Sequence, residues 1–518
     1  MAEKNKMIDG KENAKEETSD LNTKGPELVQ MIGDRLTSLI DQNHPGKSVI
    51  INGISGSQKS LAAASLLAKY NTAVIVVPTQ KDIFRWEENL KFFVPDARIF
   101  SFPVVEEAGF EGTFSSTERL RERMRSLSAM INGEKSIIIA AAVEAAQKIS
   151  APSSIKDHSY KFELGSEIER REVLEVLQDL GYERVDQVER SGHFSVRGDI
   201  VDIYPINEIH PVRIEFFGDE IDSIRLFDVD SQRSIETLES QSVFPVAVKG
   251  SKNSSVLSYL DHGIVFYDEP QRGEESLKQF FKEEKANAGK AFLWSELIHT
   301  ARKQTNQEIV FSLLKRELEE FKPSVYHNWN GQEMTNYQRQ IPIFTADLKS
   351  LLNKNWKTAI VIPRASEKRE IEGILTDHQI PMSLDIEEGK VVLLDGVLTE
   401  GFELSDFNLA LITAGDILGR QKLRKYSTSG SGKQIRYFSD LNPGDYVVQQ
   451  VHGIGRYLGI RTIELSGVHR DYITIQYAGS DKLYLPVDQI GTLEKYIGPE
   501  GETPRLHTMG GANWKKIR

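Results

Sequence analysis

Three short apolar runs constrain the fold more than anything else in this chain. Ser48–Gly53 reads SVIING, Thr72–Pro78 reads TAVIVVP and Lys135–Ala142 reads KSIIIAAA. None alternates polar with apolar residues, so each is expected to be a strand covered on both faces. Between the first two lies KSLAAASLLAKY, whose alanines and leucines favour helix. Strand and helix in alternation are the pattern of a parallel α/β sheet.

The pattern then changes. Residues 160–245 read as one helix, REVLEVLQDLGY, followed by strands on short connections: GHFSVRGDIVDIYP and PVRIEFFGDEIDSIRLFD. That is an antiparallel α+β insert. GIVFYDEP near Ile264 and AFLWSE near Phe292 resume the α/β pattern, so the first domain is predicted to be discontinuous, 26–155 and 247–344, around an insert at 156–246. TAIVIP, KREIEGILTDH, KVVLLDG and LALITAGDILG predict a separate small α/β domain at 345–425. YSTSGSGKQ begins a Gly/Ser-rich linker, 426–438. An all-β module is expected at 439–498, with a linking segment at 499–518; residues 1–25, polar and mixed in charge, read as a disordered tail. A length of 518 residues agrees with several domains.

Composition removes several classes of function. With no cysteine there is no disulfide framework, thiolate metal site or cysteine nucleophile, and a reducing cytoplasm is the expected location. No run of about 18 apolar residues spans a membrane, and MAEKNKMIDGKENAKEE lacks the apolar segment of a secretory signal. A formal charge of −12 confines any nucleic-acid contact to a local basic patch.

GISGSQKS, Gly53–Ser60, follows a strand and precedes a helix, the setting of a phosphate-binding loop. Gly53, Lys59 and Ser60 fit that pattern; Gln58 stands where a second glycine is required, and its side chain is expected to intrude on the backbone amides that wrap a phosphate. Asp268 and Glu269 follow a strand, like an acidic pair that holds magnesium and aligns water. Two readings follow: an ATP-dependent enzyme, or an inactive scaffold. The scaffold is preferred because nothing after residue 345 reads as a second helicase-type domain that brings an arginine to the site.

VERSGHFSVRGDIVDIYP and PVRIEFFGDEIDSIRLFDVDSQRS resemble the inserted second domain of the excision-repair helicase UvrB. They are more similar still to the UvrB-homology module of bacterial transcription-repair coupling factors (Mfd). PGDYVVQQVHGIGRYLGI, KLYLPVDQI and HTMGGANWKKIR resemble the RNA-polymerase-interacting domain of the same family, a Tudor-like barrel shared with CarD-type regulators. The resemblance implies a RecA-like parallel-sheet domain carrying the insert, the small α/β domain and a C-terminal Tudor-like β-barrel. It implies UvrA and the RNA polymerase β subunit as partners. ATP, magnesium and DNA would be engaged by a translocase motor that lies beyond this chain in the family, so the chain is expected to be an N-terminal portion without a cofactor of its own. FPVVEEAGFEGTFSSTERLRERMRSL lacks the aromatic run of the UvrB damage-clamping hairpin, so direct lesion probing is not expected.

By period two, Arg213 and Phe217 share a strand face with Glu215, while Ile214 and Phe216 point to the core. The resemblance places UvrA contacts at Arg197, Arg213 and Phe217, and a polymerase contact at Ile463. Arg119, Arg121, Arg123 and Arg125 are read as a solvated helix face, and His452 as a turn or packing residue rather than a metal ligand. In RYLGIRTIEL, Leu458 and Ile460 are expected inward, with Tyr457, Arg461, Ile463 and Leu465 on the other face. The expected role is an adaptor between polymerase and UvrA. A CarD-like regulator fused to an inert scaffold is a third reading, and it excludes UvrA binding.

Overall fold

A computed structural model of the chain describes residues 24–41, 48–67, 69–103, 114–246, 252–283, 289–315 and 317–419; further on it describes 433–434, 444–449, 453–465, 468–479, 481–486, 493–495 and 506. The chain divides into two compact units, Met1–Gln421 and Lys422–Arg518. The expected tail lies outside the described residues as far as position 23, and His452 lies outside them too.

In the first unit the apolar runs become β1 (Ser48–Asn52), β2 (Thr72–Val77) and β4 (Ser136–Ala141); β3 is Arg98–Phe102. With Gly263–Asp268, Thr305–Ser312 and Ser324–Asn328 they form a seven-stranded sheet, parallel throughout. Its order is Ser324–Asn328, β1, Thr305–Ser312, Gly263–Asp268, β2, β4, β3. Every residue of β1, β2 and β4 is buried, as strands with helices on both faces require. Helices α1 (Gly25–Asp41), α2 (Ser57–Leu67) and α3 (Gln80–Phe93) supply Leu28, Leu61 and Trp86 to one face. On the other face, α4 (Phe114–Ile131) and the helix Trp294–Arg302 supply Leu127 and Leu297.

AFLWSE is not a strand: it runs into the helix Trp294–Arg302, and the strand lies further on, at Thr305–Ser312. The sequence TNQEIVFS hides that strand, because its first four residues are polar and only Ile309–Phe311 are apolar. The buried Glu308 carboxylate accepts from Ser48 Oγ at 2.7 Å and from Arg302 Nε at 3.0 Å, so the charge is accommodated.

The insert forms a six-stranded sheet whose strands from His193 to Thr237 run antiparallel in sequence order. The helix Arg170–Asp179 packs Val173 and Leu177 on its inner face. The smaller α/β lobe has a mixed six-stranded sheet, with Lys357–Ile362 between Val391–Asp395 and Leu409–Thr413. It is less separate than expected. Its first strand, Gly331–Glu333, lies upstream of residue 345, and Val361, Leu394 and Leu411 share one apolar cluster with Leu61 and Phe92 of the larger lobe.

The second unit is a six-stranded antiparallel sheet around Val447, Tyr457, Ile473, Ile475 and Leu485. Two expectations change here. Lys433–Gln434, assigned to the linker, pairs as a strand with Leu493–Lys495. Tyr457 is buried and Leu458 exposed, the reverse of the expected phase. A register shift between Tyr457 and Gly459 inserts one residue, which reverses the side-chain faces along the strand.

Candidate functional sites

The loop Gly53–Ser60 turns from β1 into α2, with Gly53 and Gly56 at φ +82° and +53°. Glycine tolerates such angles. Gln58 does not intrude on the loop. It sits inside the first turn of α2, and its Oε1 accepts from Trp329 Nε1 at 2.7 Å. Its side chain is therefore spent against the crossing between the two sheets, away from the phosphate-binding face.

Lys59, by contrast, is fully engaged. Its Nζ lies 2.6 Å from Asp268 Oδ1 and 2.9 Å from Glu269 Oε1, in a largely buried triad. Burial works against its charge, but the two carboxylates outweigh burial and hold its pKa above the ordinary lysine value. Trp86 Nε1 donates to Asp268 Oδ2 at 2.9 Å. Glu269 is held at φ +44°, which is uncommon for a side chain of this kind, and its Oε1 also accepts from Leu313 N at 2.8 Å.

The smaller lobe reaches the same loop. Ser57 Oγ accepts from Glu400 N at 3.1 Å and lies 3.2 Å from Thr399 Oγ1. Asn89 Oδ1 accepts from Thr399 N at 2.9 Å. The Glu400 carboxylate stands directly on Gly56, where a Cβ would collide with it, and Arg85 pairs with it at 3.5 Å. Together these residues line a cavity of about 410 Å³ that presents three cations (Lys59, Arg85, Arg272) against five carboxylates (Asp82, Asp268, Glu269, Glu333, Glu400). As arranged, the lysine is paired with the acidic couple, carboxylates outnumber cations in the lining, and the Glu400 carboxylate lies on the loop. Among the described residues no group of three His, Cys, Asp or Glu side chains is placed to hold a metal ion.

On the insert, Arg197, Arg213 and Phe217 come to one face of the sheet. Arg197 lies opposite Ile200, which lies opposite Glu215, and Glu215 falls between Arg213 and Phe217 on their strand. Ile214 and Phe216 are buried on the other face. The three differ in availability. Phe217 is 79% exposed. Arg197 is exposed, although its guanidinium donates to Asp186 O at 3.1 and 2.6 Å. Arg213 is committed within the fold: it grips Asp202 through two hydrogen bonds of 2.7 and 2.9 Å, donates to Gln232 at 3.0 Å, and stacks over Phe227 at 4.4 Å.

The arginine run on α4 is not a simple solvated face. Arg119 is exposed, but Arg123 is buried, donates to Pro103 O at 2.6 Å and to Gln147 Oε1 at 2.5 Å, and lies over Phe102. Burial lowers its pKa to about 10, so it remains cationic at neutral pH. The helix lies along edge strand β3 and buries Arg123 together with Met124 and Leu127. The backbone of Ile463 pairs with Arg470 in the C-terminal sheet; its side chain lies outside the described residues.

Trp86, Asn89, Trp329, Thr399 and Glu400 were not legible as site residues. Thr399 and Glu400 stand more than 340 positions from the loop they touch, and no local spacing marks them.

Residues 160–248 match the UvrB interaction domain model, and residues 441–497 match the CarD-like/TRCF RID domain model. The chain is 28% identical to the transcription-repair-coupling factor of Bacillus subtilis, over 94% of this chain and 48% of that protein. It is also 28% identical to the Staphylococcus epidermidis factor (92% and 48%), and 27% identical to one from Staphylococcus aureus (91% and 47%). The chain thus spans about half the length of the curated relatives it matches. Solved structures of a Saccharomyces cerevisiae Dbp5 complex and of the XPD helicase align over 71% of the chain at 8% and 11% identity; each TM-score is 0.22, too low to establish a common arrangement. No helix among the described residues is long and apolar enough to cross a membrane.

Proposed function

We propose that the chain, which is similar to transcription-repair-coupling factors over most of its length, acts as an adaptor that binds RNA polymerase and recruits UvrA to transcription-coupled excision repair. The observation that carries this reading is the presence of two partner-type domain matches, 160–248 and 441–497, in separate compact units of one chain. In this proposal the insert takes UvrA with the sheet face that bears Arg197 and Phe217, and Arg213 holds that face in shape. The C-terminal sheet takes the polymerase β subunit at the strand containing Ile463, with strand backbone adding hydrogen bonds. DNA, ATP and magnesium are the business of the family's motor, and the Gly53–Ser60 loop is silent.

The experiment is a bridging assay. Immobilised polymerase should capture UvrA only when this chain is present. Ile463→Arg should remove the polymerase end, and Phe217→Ala should weaken the UvrA end. Capture of polymerase without any UvrA would favour the CarD-like regulator instead.

The competing enzymatic reading has one specific support: a lysine and an acidic pair converge at a loop between strand and helix, as in a working nucleotide site. ATP turnover by the chain, abolished by Lys59→Arg in a variant that stays folded, would establish it and displace the silent-loop reading.

A further inference from the structure

The idle loop has kept its shape, and the structure contains a group that accounts for this. Gly56 retains a left-handed backbone and α2 begins at Ser57, so the positive end of an 11-residue helix faces the loop. Such an end favours an anion; the amides of Gln58 and Lys59 are already bonded, to Ser55 O at 3.2 Å and Gly56 O at 3.3 Å. The anion beside it belongs to the protein itself. Glu400 reaches across from the smaller lobe, its side chain is only 14% exposed, and its carboxylate lies on Gly56. Its backbone N–H is fixed by Ser57 Oγ, the preceding Thr399 is fixed by Asn89, and Arg85 balances its charge from outside. A buried carboxylate costs stability unless it meets dipoles or cations; here the start of α2 supplies the dipole and Arg85 of α3 the cation.

We propose that Glu400 is a built-in anion that occupies the phosphate position of the Gly53–Ser60 loop, and that this contact, rather than the side chain of Gln58, closes the loop to phosphate. The proposal rests on the silent-loop reading and names its cause. The sequence departure at Gln58 is then incidental: that side chain packs on Trp329 and leaves the cradle clear. Exclusion is instead a property of the closed pair of lobes, because the occupant arrives with the smaller lobe.

The test is isothermal titration calorimetry of the full chain with inorganic pyrophosphate, comparing wild type, Glu400→Ala, Glu400→Gln and Gln58→Gly. Glu400→Gln keeps the shape and the backbone bond to Ser57, so it covers the case in which Glu400→Ala loosens the lobes. Removing a like charge from the anion position should tighten pyrophosphate by at least about tenfold in Glu400→Ala or Glu400→Gln, with no gain in Gln58→Gly. The proposal is overturned if neither Glu400 variant gains affinity, or if Gln58→Gly alone does. ATP turnover by the wild-type chain is measured separately. Turnover dependent on Lys59 defeats the silent-loop reading, whereas unchanged pyrophosphate affinity in the Glu400 variants defeats only the role given to Glu400.

Discussion

Truncating Arg213 should unfold part of the insert rather than merely erase a contact. Its partner, the Asp202 side chain, is only 5% exposed, and Arg213 supplies both of the charge-assisted hydrogen bonds described for it. Arg213→Ala leaves that carboxylate without its cation inside the sheet, a change that costs about 3–5 kcal/mol when a buried pair is broken from one side. Arg213 itself is 21% exposed, so water can enter beside the truncated side chain, and the lower end, about 3 kcal/mol, is expected. Loss of the guanidinium over Phe227 works in the same direction.

A chain of several domains does not unfold in two states, so the suitable assay is hydrogen exchange at amides of His193–Arg197, Ile200–Ile203 and Val212–Phe217. A loss of about 3 kcal/mol should speed their exchange on the order of 100-fold. Asp202→Ala placed in the Arg213→Ala background should restore protection, because it removes the orphaned charge. Wild-type exchange in Arg213→Ala, or a double variant destabilised by the sum of the two single changes, would refute the reasoning. Loss of UvrA capture by Arg213→Ala is accordingly no measure of contact unless exchange is recorded alongside.

Four further outcomes are expected. Phe217→Ala should weaken UvrA binding by about 1–3 kcal/mol in a pull-down titration while leaving exchange of its strand unchanged, since the ring is exposed in this chain. Ile463→Arg should abolish polymerase capture but spare UvrA capture, with circular dichroism unchanged. Lys59→Ala should cost about 3 kcal/mol locally, seen as faster exchange in Gly263–Asp268, because Asp268 and Glu269 lose their cation. The pKa of Lys59 is raised on folding, so its stabilisation is complete below the ordinary lysine value of 10.5 and is lost as pH rises through the higher folded value; exchange measured from pH 7 to 9 should show no loosening at this triad.

Much of the sheet architecture was legible because it depends on short-range pattern. β1, β2 and β4 are fully buried, and a strand buried on both faces cannot avoid a continuous apolar run. The pattern failed where a local accident breaks it. The strand Thr305–Ser312 begins with four polar residues, and the buried Glu308 among them is compensated by Ser48 and Arg302, which are distant in sequence or on a different element. The extra residue between Tyr457 and Gly459 inverts the phase of a strand whose alternation is otherwise regular. Four arginines in seven positions look uniformly solvated until the packing of α4 selects Arg123 for the interior.

The nucleotide loop shows a deeper reason why sequence and site part company. A motif states which residue types are present, whereas occupancy depends on where their side chains find partners. Gln58 breaks the motif yet leaves the phosphate-binding face, because Trp329 offers its indole N–H at 2.7 Å. Lys59 obeys the motif, and Asp268 and Glu269 lie within 3 Å of it. Glu400 belongs to no motif and reaches the loop only because the two lobes share one apolar core, built from Leu61 and Phe92 on one side and Val361, Leu394 and Leu411 on the other. Burial of ordinary apolar residues that carry no chemistry of their own thus helps bring an acid to the loop. A substitution in that core, such as Leu394→Ala, should therefore loosen the hold on the loop without touching any residue of the motif.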